Sequence, residues 1–303
     1  MNSSIDKPLY ETPAPSDRLA RIIIGEILDH FHISRASKFG RILNLLMYPA
    51  MRRFGNVAAQ FDRVVVGASL NRAAYEVRTH FFRHLEIVGA DNIPLDGPLL
   101  VVSNHPGGAD SVAAMVGLSR PDTHILVIDR PLLRAMTNTR QHLIRFNHKE
   151  PSFLVPLQHV LAVLRSGQTV LTFPLGTVEP DPAILPSAAR QHLKDWSRSI
   201  GLILSRVPEL RILPMIISGV LSPAAWKNPL IRLGRTQRER LQIAMILQLT
   251  MQQIWRGSFP VDVRVKIGEA VPAVELTPSL KPDLLYTAVM DNVYALMIQE
   301  TAF

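Results

Sequence analysis

Leu99-Leu100-Val101-Val102-Ser103-Asn104-His105-Pro106-Gly107-Gly108-Ala109-Asp110 is a short apolar run that ends on a polar pair, turns through Pro-Gly-Gly and reaches an acid. The run has strand length and no alternating polar face, the pattern of a strand covered on both sides. Pro106 resists continuing it, and Gly107-Gly108 permits a tight reversal. Ala113, Ala114, Met115 and Val116 then read as a helix with Asp110 as its N-cap.

Outward from this unit the same alternation recurs. Strands are expected over 85–88, 124–128, 168–173, 211–217 and 261–267. Helices are expected over 153–165, where Gly167 is placed to end the helix, and over 187–207, 229–255 and 281–299. Strands alternating with helices argue for an α/β fold with a largely parallel sheet flanked by helices. No internal repeat or low-complexity segment interrupts it.

Residues 1–81 have a different texture. Residues 1–16 are polar and proline-bearing, read as a flexible arm, and lack the basic start and apolar stretch of a secretory signal. From Arg18 the pattern is helical, with Phe39, Ile42, Leu43, Leu46 and Met47 on one face and Lys38, Arg41, Arg52 and Arg53 flanking them. A basic amphipathic stretch suits a bilayer's headgroup boundary; it equally suits a helix packed on a catalytic domain with solvated charges. The division expected is an arm with amphipathic, membrane-associating helices over 1–81 and an α/β domain over 82–303.

The bulk properties narrow the function classes. The chain has 303 residues, 47% hydrophobic and 19% charged, and a mean hydropathy of +0.14, so it fills a sizeable core and is not disordered. The longest uncharged apolar runs, such as 212–220, are strand-length, so no bilayer-spanning helix is expected and the chain is placed in the cytoplasm or on a membrane surface. With no cysteine there is no thiol nucleophile, thiolate metal site or disulfide. Net charge is +8, and aromatics, at 6%, do not interleave with the basic residues, so anionic lipid or an acidic small molecule is the expected partner rather than nucleic acid. No histidine-carboxylate cluster has metal-ligand spacing, and Gly67-Ala68-Ser69-Leu70-Asn71, the nearest approach to a serine-hydrolase elbow, lacks its last glycine.

Four segments carry chemistry. In the first, a strand delivers Asn104 and His105 at its C-terminal end, where ligands gather in open α/β sheets. Across the strand-turn-helix, Asp110 can fold back onto the imidazole, fix its tautomer and leave Nε2 to take a proton. The same residues also read as a capped turn with His105 an ordinary loop histidine. In the second, Phe173-Pro174-Leu175-Gly176-Thr177, Gly176 lets backbone N–H groups approach a ligand and Thr177 adds a donor for a phosphate or oxyanion; an ordinary turn is the alternative. In the third, Val127-Ile128-Asp129-Arg130-Pro131, Arg130 suits bidentate phosphate binding or a local ion pair with Asp129. The fourth, Ile212-Leu213-Pro214-Met215-Ile216-Ile217, is structural, its proline marking a sheet edge or bulge.

In their order along the chain and their rough spacing, over about residues 85–220, the four segments resemble the glycerolipid acyltransferase family, which includes lysophosphatidic acid and glycerol-3-phosphate acyltransferases. The family's Asn-His-x4-Asp matches Asn104, His105 and Asp110; its strand ending in Asp-Arg matches Asp129-Arg130; its Phe-Pro-Glu-Gly-Thr matches Phe173, Pro174, Gly176 and Thr177, with Leu175 in place of glutamate. The resemblance implies that His105 is a general base oriented by Asp110, with Asn104, Arg130, Phe173, Pro174, Gly176 and Thr177 at the substrate. It implies an acyl-CoA or acyl-carrier-protein donor, a lysophospholipid or glycerol-phosphate-type acceptor, no further cofactor and work as a peripheral protein at the membrane lipid surface. Leu175, and Val178 where many members carry arginine, depart from the pattern at the phosphate-recognition motif; nearby Glu179, Asp181 and Arg130 are the residues able to compensate. An acyltransferase for a non-phosphate lipid and a non-catalytic lipid-binding protein on the same fold are the competing readings.

Overall fold

The computed structural model describes residues 14–147 and 154–301. The expected arm therefore lies outside them up to residue 13, as does the expected helix start at Phe153. The chain opens with helices α1 (Ser16–His30), α2 (Lys38–Gly67) and α3 (Leu70–Val77), then alternates β1 (His84–Val88), β2 (Leu99–Ser103), α4 (Asp110–Leu118) and β3 (Thr123–Ile128). It continues through α5 (Pro131–Ala135), β4 (Leu143–Phe146), α6 (Leu154–Arg165), β5 (Thr169–Thr172), α7 (Pro186–His192), α8 (Ser199–Arg206) and β6 (Arg211–Ser218). It closes with α9 (Pro223–Trp226), α10 (Gln237–Ile254), β7 (Asp262–Ile267), β8 (Val271–Pro272), α11 (Ala273–Leu276) and α12 (Pro282–Thr301).

The strands form one sheet in the order β1-β7-β6-β2-β5-β3-β4, with β8 also paired to β6. Every pairing is parallel except those of β6 with β7 and β8, so the expected largely parallel α/β sheet is what the chain builds. The chain runs from β2 out to β3 and β4, returns to β5 between β2 and β3, then crosses to β6 on the far side of β2. That reversal about β2 opens a crevice at its carboxyl end.

Two cores cover the sheet. On one face Val57, Phe61, Val65, Leu70, Ala73 and Val77 of α2 and α3 share a single cluster with Leu99, Val101, Ala113, Leu213 and Val265. On the other, Val160, Leu164, Ile200, Ile203, Val289 and Val293 pack on Leu100, Val102, Val170 and Ile212. The buried residues of α3 and of the second half of α2 thus share one core cluster with residues of the strands.

The expected long helix over 187–207 is broken. Between α7 and α8 the Trp196 carbonyl accepts from the Tyr286 hydroxyl at 2.8 Å, and the Ser197 N–H donates to the Pro174 carbonyl at 3.2 Å. These tertiary bonds take backbone groups a continuous helix would need. Pro214 lies in an interior strand, not at an edge. Its carbonyl accepts from the Gly268 N–H at 2.9 Å, where β6 changes partner from β8 to β7. The missing donor of proline therefore faces a break in the pairing, the bulge alternative.

Only part of the apolar face of α2 meets solvent. Phe39, Ile42, Leu45 and Leu46 are exposed, whereas Leu43 and Met47 are half-buried against the α1 side. Of the flanking cations, Arg52 pairs with Asp17 and Arg53 donates to the carbonyls of Gln253 and Ile254 that end α10. Among the described residues, no helix is long and apolar enough to cross a membrane.

Candidate active site

Register brings the segments together. β2 pairs with β5 (Val102↔Thr172) and β5 with β3 (Ile125↔Leu171), so the residues following all three strands emerge side by side at one sheet edge. His105 follows β2, Phe173–Thr177 follow β5 and Arg130 follows β3. His105, Arg130, Phe173, Pro174, Gly176 and Thr177 all line one cavity of about 820 Å³. Much of its lining is apolar, with Phe61, Leu70, Val112, Met115, Leu133 and Met136 among the wall residues.

The Asp110 carboxylate is buried, and its Oδ2 accepts from His105 Nδ1 at 2.6 Å and from the Gly107 N–H at 2.9 Å. This corrects the expected cap. Ala109 holds the N-cap position, no side chain caps α4, and Asp110 begins the helix with its carboxylate turned back on the imidazole. Gly107, at φ +155°, occupies backbone that side-chain-bearing residues rarely adopt and aims its N–H at that carboxylate. A carboxylate on Nδ1 favours the tautomer with the proton there, which leaves His105 Nε2 as the ring nitrogen able to accept one. Burial opposes the imidazolium, but the charge and hydrogen bond of Asp110, with the charge of Glu179, outweigh it; the His105 pKa is raised above 6.5.

Asn104 is a correction to the expected substrate contacts. It is fully buried, its Oδ1 accepts from the Ile217 N–H at 2.7 Å, and its amide donates to the Ile217 carbonyl at 2.8 Å. Asn104 clamps β6 to the end of β2 and lies outside the cavity lining. Gly176 turns at φ +68°, as a glycine readily does, and its N–H is taken by the Phe173 carbonyl at 2.9 Å. Thr177, in the cavity wall, has its N–H and hydroxyl without an internal partner among the described residues. Phe173 lays its ring 4.8 Å from that of His105.

Arg130 does not pair with Asp129. That acid binds Arg134 at 2.5 Å and lies 3.7 Å from Arg145, which leaves Arg130 facing the cavity with no ion-pair contact among the described residues. Arg238, from the first turns of α10, lines the same cavity and likewise has none. Nothing in the sequence flags Arg238, which lies over a hundred positions beyond the motif it joins. Leu175 packs on the second core, and Val178 on a small cluster beside α9 and α10. Asp181 does not reach the cavity; its carboxylate accepts from the N–H groups of Ala183, Gly219 and Leu221, and burial raises its pKa to about 6. Among the described residues no acid-histidine cluster suits a metal.

No family model and no curated protein matches the chain. Among solved structures the chain is similar to that of the 1-acyl-sn-glycerophosphate (LPA) acyltransferase PlsC from Thermotoga maritima, at 17% identity and a TM-score of 0.45 over 94% of this chain and 96% of that one.

Proposed function

We propose that the chain is an O-acyltransferase that moves a fatty acyl group from acyl-CoA or an acyl-carrier protein to a lysophospholipid or glycerol-phosphate-type hydroxyl. The observation that carries this reading is a histidine held by a buried carboxylate at the wall of a large apolar cavity. A thioester is already activated, so no covalent enzyme intermediate is required. His105 Nε2 removes the hydroxyl proton as the oxygen attacks the thioester carbon, and Asp110 stabilises the resulting imidazolium. The C–S bond breaks as the tetrahedral centre collapses, and the imidazolium returns the proton to the departing sulfur. The Thr177 N–H and hydroxyl, which lack an internal partner among the described residues, donate to the oxyanion in this reading. Arg130 and Arg238 supply positive charge for an anionic headgroup, in place of the motif arginine that Val178 replaces. The apolar wall takes the acyl chain, and Phe39, Ile42, Leu45 and Leu46, with Lys38 and Arg41, dock α2 on anionic membrane at the cytoplasmic side.

The test incubates purified protein with long-chain acyl-CoA or acyl-carrier-protein thioester and a panel of lysophosphatidate, glycerol phosphate and monoacylglycerol, reading thiol release. His105→Ala is expected to lose about 10²–10⁴-fold in rate with fold and vesicle binding intact. Full activity in that variant refutes the mechanism. Vesicle binding without thiol release from any acceptor favours the non-catalytic lipid binder, and turnover on monoacylglycerol alone favours a non-phosphate acceptor.

A further inference from the structure

His105 touches a second buried carboxylate that the mechanism above leaves unused. The Glu179 Oε1 accepts from the His105 backbone N–H at 3.0 Å, and the Glu179 N–H donates to the His105 carbonyl at 2.7 Å. Its Oε2 accepts from the Trp196 indole N–H at 3.0 Å, and the residue is 1% exposed. An anion is costly to bury, and one scaffold bond would not require it; a neutral side chain serves a backbone N–H as well. Here both oxygens are engaged by donors, as an ionised carboxylate wants. The bracket thus fixes the backbone just past the end of β2, while Asp110 holds the ring.

We infer that Glu179 is a positioning residue for the general base: it locks the His105 backbone and holds a second buried carboxylate on the residue that carries the imidazole. The inference rests on the reading of His105 as base. The charged groups that reach His105 are Asp110 on α4, Glu179 in the loop after β5, and Arg130 at the start of α5, which opposes the cation. Burial pushes Glu179 up to about 7, against the hydrogen bonds from Trp196 and the His105 N–H. Protonating Glu179 removes a negative charge and so weakens proton binding at His105; the two groups titrate in overlapping, mutually opposed steps.

The test follows the His105 Hε1 resonance, assigned by its absence in His105→Ala, against pH in the full chain without substrate, alongside the pH profile of kcat/KM for thiol release. In Glu179→Gln the midpoint and the acid limb are expected to move to lower pH, the limb to narrow to one proton, and the plateau to fall about three- to tenfold, as for a weaker base. Trp196→Phe keeps the carboxylate and is expected to move the midpoint less. A Glu179→Gln protein that melts earlier but keeps its midpoint and limb shows scaffolding alone and overturns the inference. Should that variant fail to fold, the parent decides: a one-proton His105 titration with its midpoint at or below about 6.5 overturns it too. A shifted midpoint in a protein that releases no thiol leaves the inference standing and removes the acyl-transfer reading.

Discussion

Asp110→Asn separates the charge of the dyad from its shape. The asparagine carbonyl can occupy the position of Oδ2 and keep both its bonds, from His105 Nδ1 at 2.6 Å and the Gly107 N–H at 2.9 Å in the parent. The amide then falls where Oδ1 already sits buried without a partner, so one orphaned group replaces another and, at a pH where His105 is neutral, the stability change is about 1 kcal/mol. What disappears is the negative charge that meets the imidazolium as it forms. Removing one partner of a buried ion pair costs about 3–5 kcal/mol, and the His105 side chain, 29% exposed, argues for the lower end. A loss of about 3 kcal/mol in transition-state stabilisation is a fall of about 10²-fold in kcat. The acid limb should move as well. In the parent, the raised His105 pKa places the limb above 6.5. Without the carboxylate, burial becomes the dominant influence and the limb shifts toward acid. The linked stability changes sign: in the parent the His105 contribution is full below about 6.5 and fades as pH rises through the native pKa, whereas the variant is destabilised by acid. Steady-state thiol release from pH 5.5 to 9, with urea unfolding at both ends of that range, measures both. A plateau loss under tenfold, or an unmoved limb in a folded variant, refutes the role assigned to the charge.

Two further outcomes test the surfaces around the dyad. Arg130→Ala and Arg238→Ala should each raise KM for lysophosphatidate about tenfold or more, the scale of one charge-assisted contact, while leaving KM for monoacylglycerol nearly unchanged; equal KM effects on both acceptors would remove the headgroup role. Leu45 and Leu46 are 75% and 65% exposed, so the paired change to glutamate should leave the melting temperature nearly unaltered. It should lower co-sedimentation with anionic vesicles by about 10²-fold, since each buried leucine contributes about 1.5–3 kcal/mol; unchanged sedimentation would assign the stripe elsewhere.

Much of this was legible along the chain because its signals are local. The apolar runs before His105, Phe173 and Asp129 announce buried parallel strands, and a ligand site at the carboxyl ends of such strands follows from how helices and sheets pack. The spacing of His105 and Asp110 across a Pro-Gly-Gly turn already permits the dyad. Pairing order is not local. Only the folded chain places β5 between β2 and β3, and that order gathers Thr177 and Arg130 at the cavity of His105. Roles of polar side chains were decided there too. Asn104 looks like a substrate contact until Ile217, distant in sequence, takes both ends of its amide, and Arg130 faces the cavity because Arg134 and Arg145 already hold Asp129. The break before α8 and the burial of Glu179 against Trp196 depend on hydrogen bonds from remote segments. Sequence determined which elements form and which residues can do chemistry, since propensity and periodicity act over a few positions. Tertiary structure determined which polar groups keep a valence for substrate, because a buried donor or acceptor takes whichever partner the fold brings within 3 Å or about that distance.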